Sequence, residues 1–243
     1  YAVDLTAVVS MADSGGSSKM IRDEFGLLPP GDIRQCLVAL NSGSNRSQKL
    51  LRELFMYRFV KGETIKGHTF GNLFLAALSD ITGNQVEAIK AAGKILNIKG
   101  RVLPVSTGNT NLVARYEQGL VVKGEHEIDE PKFNGKLHIK KLLLQPRAKI
   151  YEEADEAIRH ADIVVIGPGD LYTSLLANIV VGGMPKALQE TRAKLIYVVN
   201  LMTKTGQTYE FKASDHVLEL EKYIGRPVDV VICNTGKFPA SIL

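Results

Sequence analysis

Two stretches carry residue types suited to holding an anion. In MADSGGSSKMIRDEF, residues 11–25, the apolar run LTAVVS ends in one acid, two glycines and three serines before the chain turns helical. Gly15 and Gly16 let backbone approach a ligand closely. Ser17 or Ser18 can cap the following helix or bond a phosphate oxygen, and the helix start adds about half a positive charge. The second stretch, DIVVIGPGDLYTSLL at 162–176, again runs from an apolar strand into glycines and hydroxyls ahead of a helix. There Gly167, Pro168 and Gly169 set the turn, and Tyr172, Thr173 and Ser174 offer donors. Each stretch alone also reads as an ordinary capped turn; their recurrence is what points to a ligand. Neither holds a G-x-x-x-x-G-K-[ST] or a G-x-G-x-x-G pattern, which disfavours an ATPase and a standard NAD enzyme.

Other groups divide between chemistry and structure. GHTFGN at 67–72 puts Gly71 in the first turn of an amphipathic helix, where glycine costs about 1 kcal/mol against alanine. Either a ligand or a tightly packed neighbour comes close there. Asp13 ends a strand and Asp32, in PPGDIR, sits at a helix start. Two carboxylates with a diphosphate suit Mg²⁺, while Asp32 reads first as a cap of a 33–41 helix, with Pro29 and Pro30 setting the turn. Ser214, Asp215 and His216 spell a triad, yet adjacent helical residues point apart and cannot form one relay. Ser214 reads as an N-cap instead. His68 precedes the amphipathic helix and can face a crevice or cap and pack. His126, His138 and His160 lack metal spacing.

The elements that must position these residues alternate. LTAVVSMA (5–12), RVLPVS (101–106), DIVVIG (162–167), KLIYVVNLM (194–202) and PVDVVICN (227–234) predict buried parallel strands. Phe70, Leu73, Phe74, Ala77, Leu78 and Ile81 predict one helix, Leu50, Leu51, Leu54, Phe55 and Phe59 another, and further helices are expected at 84–98, 184–192 and 214–224. This is the α/β class, a doubly wound, mostly parallel sheet covered on both faces. Residues 110–145 break the rhythm and predict a small inserted β subdomain with a tight turn at Gln118-Gly119. Loops are expected at 41–48 and 127–136. In open α/β sheets ligands gather beyond the carboxyl ends of the strands, where both glycine-rich turns fall. Asn200, Met202 and Thr203 end the 194–202 strand and reach that same rim, as does the NTG of 234–236.

Composition narrows the class. The chain has 243 residues, 45% of them hydrophobic, enough for one compact domain. Thirty Lys and Arg against 26 Asp and Glu, spread along the chain, suit a small anionic ligand and argue against nucleic acid. Cys36 and Cys233 have no metal or redox spacing, and the apolar runs are too short for a membrane span, so a cytoplasmic protein without leader or anchor is expected.

The order of ADSGGSSKMIRDEFGLLPPGDIRQCLVAL, GHTFGNLFLAALSDITG, RVLPVST, IGPGDLYTSLLANIVVGGMPKAL and NLMTKTGQTYEFKASDHV resembles the gluconeogenesis factor family, the regulatory branch of the 2-phospho-L-lactate transferase superfamily. LPPGDIR and NLMT favour that branch. The resemblance implies a Rossmann-like nucleotide-sugar site, for UDP-N-acetylglucosamine or UDP-glucose, in a cytoplasmic bacterial regulator of cell shape and envelope synthesis on gluconeogenic carbon. No turnover and no required cofactor are implied, and Asn200, Met202 and Thr203 would hold base or sugar. The transferase branch, by contrast, binds a guanosine-diphosphate-linked lactate and a deazaflavin and uses a divalent metal, held by aspartates in the loops of Asp13 and Asp32. Two departures stand out. The family's first strand and G-G-T-G type loop are not expected within this chain, and Ser14 replaces the second acid of A-D-D-G-G-S-S. The expected ligand set is therefore Asp13, Gly15, Gly16, Ser17, Ser18, His68, Asn72, Gly167, Pro168, Gly169, Tyr172, Thr173, Asn200, Met202 and Thr203, with Asp13 and Asp32 for Mg²⁺. Expected partners are a nucleotide sugar, a second copy of the chain by analogy, and an unidentified protein target, with neither nucleic acid nor membrane.

Overall fold

The computed structural model of the protein describes residues 3–43 and 45–236. β1 (Thr6–Val9) is followed by α1 (Gly16–Phe25), α2 (Gly31–Ala39), α3 (Arg46–Met56), α4 (Phe70–Thr82) and α5 (Gln85–Ile95), and the chain returns as β2 (Arg101–Pro104). β2 pairs parallel to β1, Thr6 opposite Arg101 and Val9 opposite Pro104. The expected insertion follows as β3 (Asn111–Tyr116), β4 (Val121–Lys123), a short helix α6 (Glu125–Asp129) and β5 (Ile139–Gln145), an antiparallel sheet in the order β4-β3-β5. Gln118 and Gly119 both sit at positive φ, 59° and 81°, as the tight turn requires.

The second half runs α7 (Glu152–Arg159), β6 (Ile163–Ile166), a π-helical turn at Leu171–Leu176, α8 (Ala177–Ile179), α9 (Met184–Glu190), β7 (Lys194–Val198), α10 (Ala213–Ile224) and β8 (Val230–Ile232). Its strands form a parallel sheet, β6-β7-β8. The α/β class and the βα alternation are as the sequence predicts. Among the described residues, however, the parallel strands form two separate ladders.

Burial departs from the expectation of strands covered on both faces. Leu195 and Tyr197 of β7 are fully buried, yet on the opposite face Ile163, Val165, Val230 and Ile232 are 57, 58, 45 and 52% exposed. β-Branched runs report extended backbone; they do not report what packs above it. Residues 127–129, expected in a loop, belong to α6, and α7 has no counterpart in the sequence reading. Ile81, expected in the α4 stripe, is 79% exposed, and Leu50 of α3 is exposed too, while Phe55 is fully buried.

The α3–α4 contact decides between the two readings of Gly71. Phe55 rests on Phe70 and Phe74, with ring centroids 6.2 and 5.0 Å away. A Cβ on Gly71 would lie 2.6 Å from the Phe55 carbonyl oxygen and 2.7 Å from Arg34 Cδ. Glycine is there for close packing. Gly71→Ala gains helix propensity but pushes on a backbone oxygen, so we expect a net loss of about 1–3 kcal/mol in chemical denaturation.

Candidate functional site

The DSGGSS turn lies where three helices begin. Gly15 is the N-cap of α1 and its N–H donates to Asp13 Oδ1 at 2.9 Å, but no side chain caps the helix. Ser17 and Ser18 are therefore not the caps expected; both are buried inside the first turn. At the start of α2, a side chain on Gly31 would collide with Asp13 Oδ2 and Ser18 Oγ. At the start of α4, Ser17 Oγ accepts from the Thr69 N–H (3.3 Å) and from Asn72 Nδ2 (3.1 Å), which leaves its own proton for His68 Nδ1 at 3.4 Å. Asn72 Oδ1 in turn accepts from buried Arg34 Nε at 3.0 Å, fixing the amide's orientation. Asp13, Gly15, Gly16, Ser17, Ser18, His68 and Asn72 are thus brought together. Each helix start leaves backbone donors without intrahelical partners and carries partial positive charge.

Carboxylates crowd the same place. Asp32 is not the cap of its helix: Pro30 takes that position, no side chain caps α2, and Asp32 lies within the first turn. Burial and the charge of Asp13 raise its pKa to about 6, against the pull of Arg34. Glu125 of α6 is pushed up to about 8 by burial, then by Asp13 and Asp129, with Asp32 adding less and the Ser14 backbone opposing. A raised folded-state pKa stabilises the protein fully below the ordinary value of 4.5, and that contribution is lost as pH rises through about 8. We therefore expect Glu125→Gln to raise the thermal midpoint clearly at about pH 9 and to have little effect at about pH 5, as read by differential scanning calorimetry.

A second group forms around the other glycine-rich turn. Pro168, Gly169, Asp170 and Ser174 face Asn200–Lys204 across an open depression of about 640 Å³. The Gly169 N–H donates to Asn200 Oδ1 at 3.2 Å, tying the two turns together. Leu201 and Met202 stand 68 and 67% exposed. Gly167, at φ 90°, holds the turn from behind, packed against Val198 O.

Two residues here behave otherwise than expected. Tyr172 is fully buried in the core, so its hydroxyl is not offered to the depression. Burial, and then Glu219, raise its pKa. The Tyr172 and Thr173 N–H groups donate to Gln207 Oε1 at 3.3 and 3.4 Å, and the Thr173 hydroxyl, expected to be offered to a ligand, donates to Asp129 Oδ1 at 3.1 Å.

The link between the two groups is α6. At its start the His126 N–H donates to Ser14 Oγ at 3.0 Å. At its end Asp129 Oδ1 accepts from Lys204 Nζ (2.5 Å), Gln207 Nε2 (3.0 Å) and Thr173 Oγ1 (3.1 Å), while Lys204 also reaches Asp170 Oδ2 at 2.7 Å. Burial opposes both charges of the Asp129–Lys204 pair, but the pairing prevails, with Asp129 lowered and Lys204 raised. One helical turn separates the two ends, roughly 5 Å of rise. Asp129, Asp170, Lys204, Gln207, Arg34 and Glu125 were not singled out from sequence; Asp170 and Lys204 directly follow the GPG and NLMT stretches, which is the signal that could have found them. The triad letters resolve to structure: Asp215 Oδ2 accepts from the Lys212 N–H at 2.7 Å, Lys212 rather than Ser214 is the cap of α10, and His216 is buried. Asn234, Thr235 and Gly236 are exposed beyond β8. Among the described residues, no group of three or more His, Cys, Asp or Glu is gathered to ligate a metal, and no helix is long and apolar enough to cross a membrane.

Residues 1–243 match the family described as 2-phospho-L-lactate transferase CofD. The chain belongs to this family. It is 46% identical over 234 residues to a protein of Aquifex aeolicus (strain VF5) named "Putative gluconeogenesis factor", covering 95% of this chain and 69% of that one. It is 40% identical over 242 residues to the "Gluconeogenesis factor" of Bacillus subtilis (strain 168), covering 99% and 74%. The X-ray crystal structure of protein BH3568 from Bacillus halodurans superposes with a TM-score of 0.92 at 38% identity, over 100% of this chain and 76% of that one. The resemblance carried by DSGGSS, GHTFGN, GPGD and NLMT therefore names the right family, and its α/β fold is the one seen here.

Proposed function

We propose that this CofD-family protein is a cytoplasmic gluconeogenesis factor that binds a nucleotide sugar, UDP-N-acetylglucosamine or UDP-glucose, and acts by occupancy without turnover. The observation that carries the reading is the meeting of three helix starts at residues 13–18. Backbone donors and aligned dipoles at one point favour a diphosphate. The crowded carboxyls beside them suit a cation: Asp13 and Asp32 would hold Mg²⁺, with phosphate oxygens completing a shell that two side chains cannot fill. When bound, such an ion would neutralise diphosphate charge. Asn200, Met202 and Thr203 would receive base or sugar across α6. The occupied site would then alter a surface read by a protein target, in a monomer or a homodimer.

A metal-dependent transferase of the 2-phospho-L-lactate type is the second reading, favoured by the same crowded carboxylates. Calorimetric titration with UDP-N-acetylglucosamine, UDP-glucose and GDP, with and without Mg²⁺, separates the two. The sensor reading expects micromolar UDP-sugar binding, tightened by Mg²⁺ and lost in Gly169→Trp. Micromolar binding untouched by that change counts against the site, and tight Mg²⁺-dependent GDP binding with transfer to a deazaflavin selects the enzyme.

A further inference from the structure

The geometry points to a division of the site, and to Asp170 as the residue that chooses the sugar: the depression between the GPGD and NLMTK turns takes a neutral, hydroxyl-rich hexose and excludes a charged one. This rests on the nucleotide-sugar reading above and adds to it the orientation of the ligand and its specificity.

Asp170 lines the depression beside a single ammonium, Lys204, which bonds it at 2.7 Å and bonds Asp129, outside the lining, at 2.5 Å. Lys204 is the cation lining this depression, and both of its carboxylate contacts are already made. The Tyr172 and Thr173 N–H groups, next to the GPGD turn, are spent on Gln207, which is 1% exposed. An anion entering here therefore meets carboxylate without a free donor charge. A metal ion would have to displace an ammonium bonded to both acids.

What remains favourable is a neutral group that donates hydrogen bonds to a fixed carboxylate, and a sugar hydroxyl is such a group. Asp129 is held by Thr173 and Gln207 besides Lys204. Asp170 accepts from Lys204 Nζ and is about a third exposed, side-chain relative area 32%. It is thus oriented by Lys204 and still open to the depression. Beside it the exposed Leu201 and Met202 offer apolar surface to the C–H face of a hexose ring. The phosphates then lie toward the α1, α2 and α4 starts, one turn of α6 away, and Lys204 is a positioning residue for Asp170.

The test is calorimetric titration of the full chain with UDP, UDP-glucose and UDP-glucuronate in the presence of Mg²⁺. A hydrogen bond to a charged group corresponds to roughly 10–100-fold in affinity. The proposal expects UDP-glucose to bind at least about tenfold tighter than UDP, and UDP-glucuronate, which carries a carboxylate at C6, to lose that advantage. Asp170→Asn should bring UDP-glucose down toward UDP while UDP itself stays within about twofold, in a variant whose thermal midpoint is measured alongside. The wild-type ligand series needs no variant and decides the matter if Asp170→Asn does not fold. Equal affinities for UDP and UDP-glucose, or undiminished binding of UDP-glucuronate, overturn the division of the site and leave nucleotide binding standing. Binding of none of the three overturns both.

Discussion

Gly167→Val is expected to be the most destabilising single change in the GPGD turn, by about 3–5 kcal/mol, lowering the thermal midpoint by roughly 10 °C or more. Two costs add. Gly167 sits at φ 90°, where a β-branched residue is strained. Its Cβ would also lie 2.7 Å from the Val198 carbonyl oxygen, a backbone atom of the neighbouring strand end that cannot swing aside. Because Gly167 leads into the turn that meets Asn200, the variant should lose ligand binding together with stability. Thermal unfolding followed by circular dichroism reads the first effect. A midpoint within about 2 °C of the parent would show that the β6–β7 end gives way easily.

The second large effect is expected at Ser17. Its Oγ accepts from two buried donors, the Thr69 N–H and Asn72 Nδ2. Ser17→Ala leaves both unsatisfied, at about 2–4 kcal/mol in total, or roughly 5–15 °C in thermal midpoint. Asn72 would also lose one of the two bonds that orient it toward Arg34, so the loop around Asp13 loosens from the start of α4. Ser17→Thr keeps the oxygen and should recover most of the loss if its extra methyl fits. An alanine variant as stable as the parent would mean that water replaces the hydroxyl.

The parts legible in sequence were those with a local signature. Strand ends followed by Gly-rich turns gave both loops, the apolar period gave α4, and Gln118-Gly119 gave the hairpin turn. What remained hidden depends on partners distant in the chain. Gln207 takes the Tyr172 and Thr173 amides from 35 and 34 residues away, so a turn that looks open to phosphate is closed. Tyr172 looks like a donor because its letter is polar, yet its ring is needed in the core. Asp32 looks like a cap because it follows Pro-Pro-Gly, but the helix begins two residues earlier and leaves its carboxyl beside Asp13. The lysine that organises the depression follows NLMT immediately, yet its importance comes from Asp129 and Asp170, 75 and 34 residues away.

The most direct measurement of the whole account is a crystal structure of the protein grown with UDP-N-acetylglucosamine and Mg²⁺. The account predicts diphosphate density within hydrogen-bonding distance of the Gly16 and Ser17 amides, with the ion between it and Asp13. Diphosphate density on the floor beside Asp170, or anywhere away from the starts of α1, α2 and α4, would contradict it.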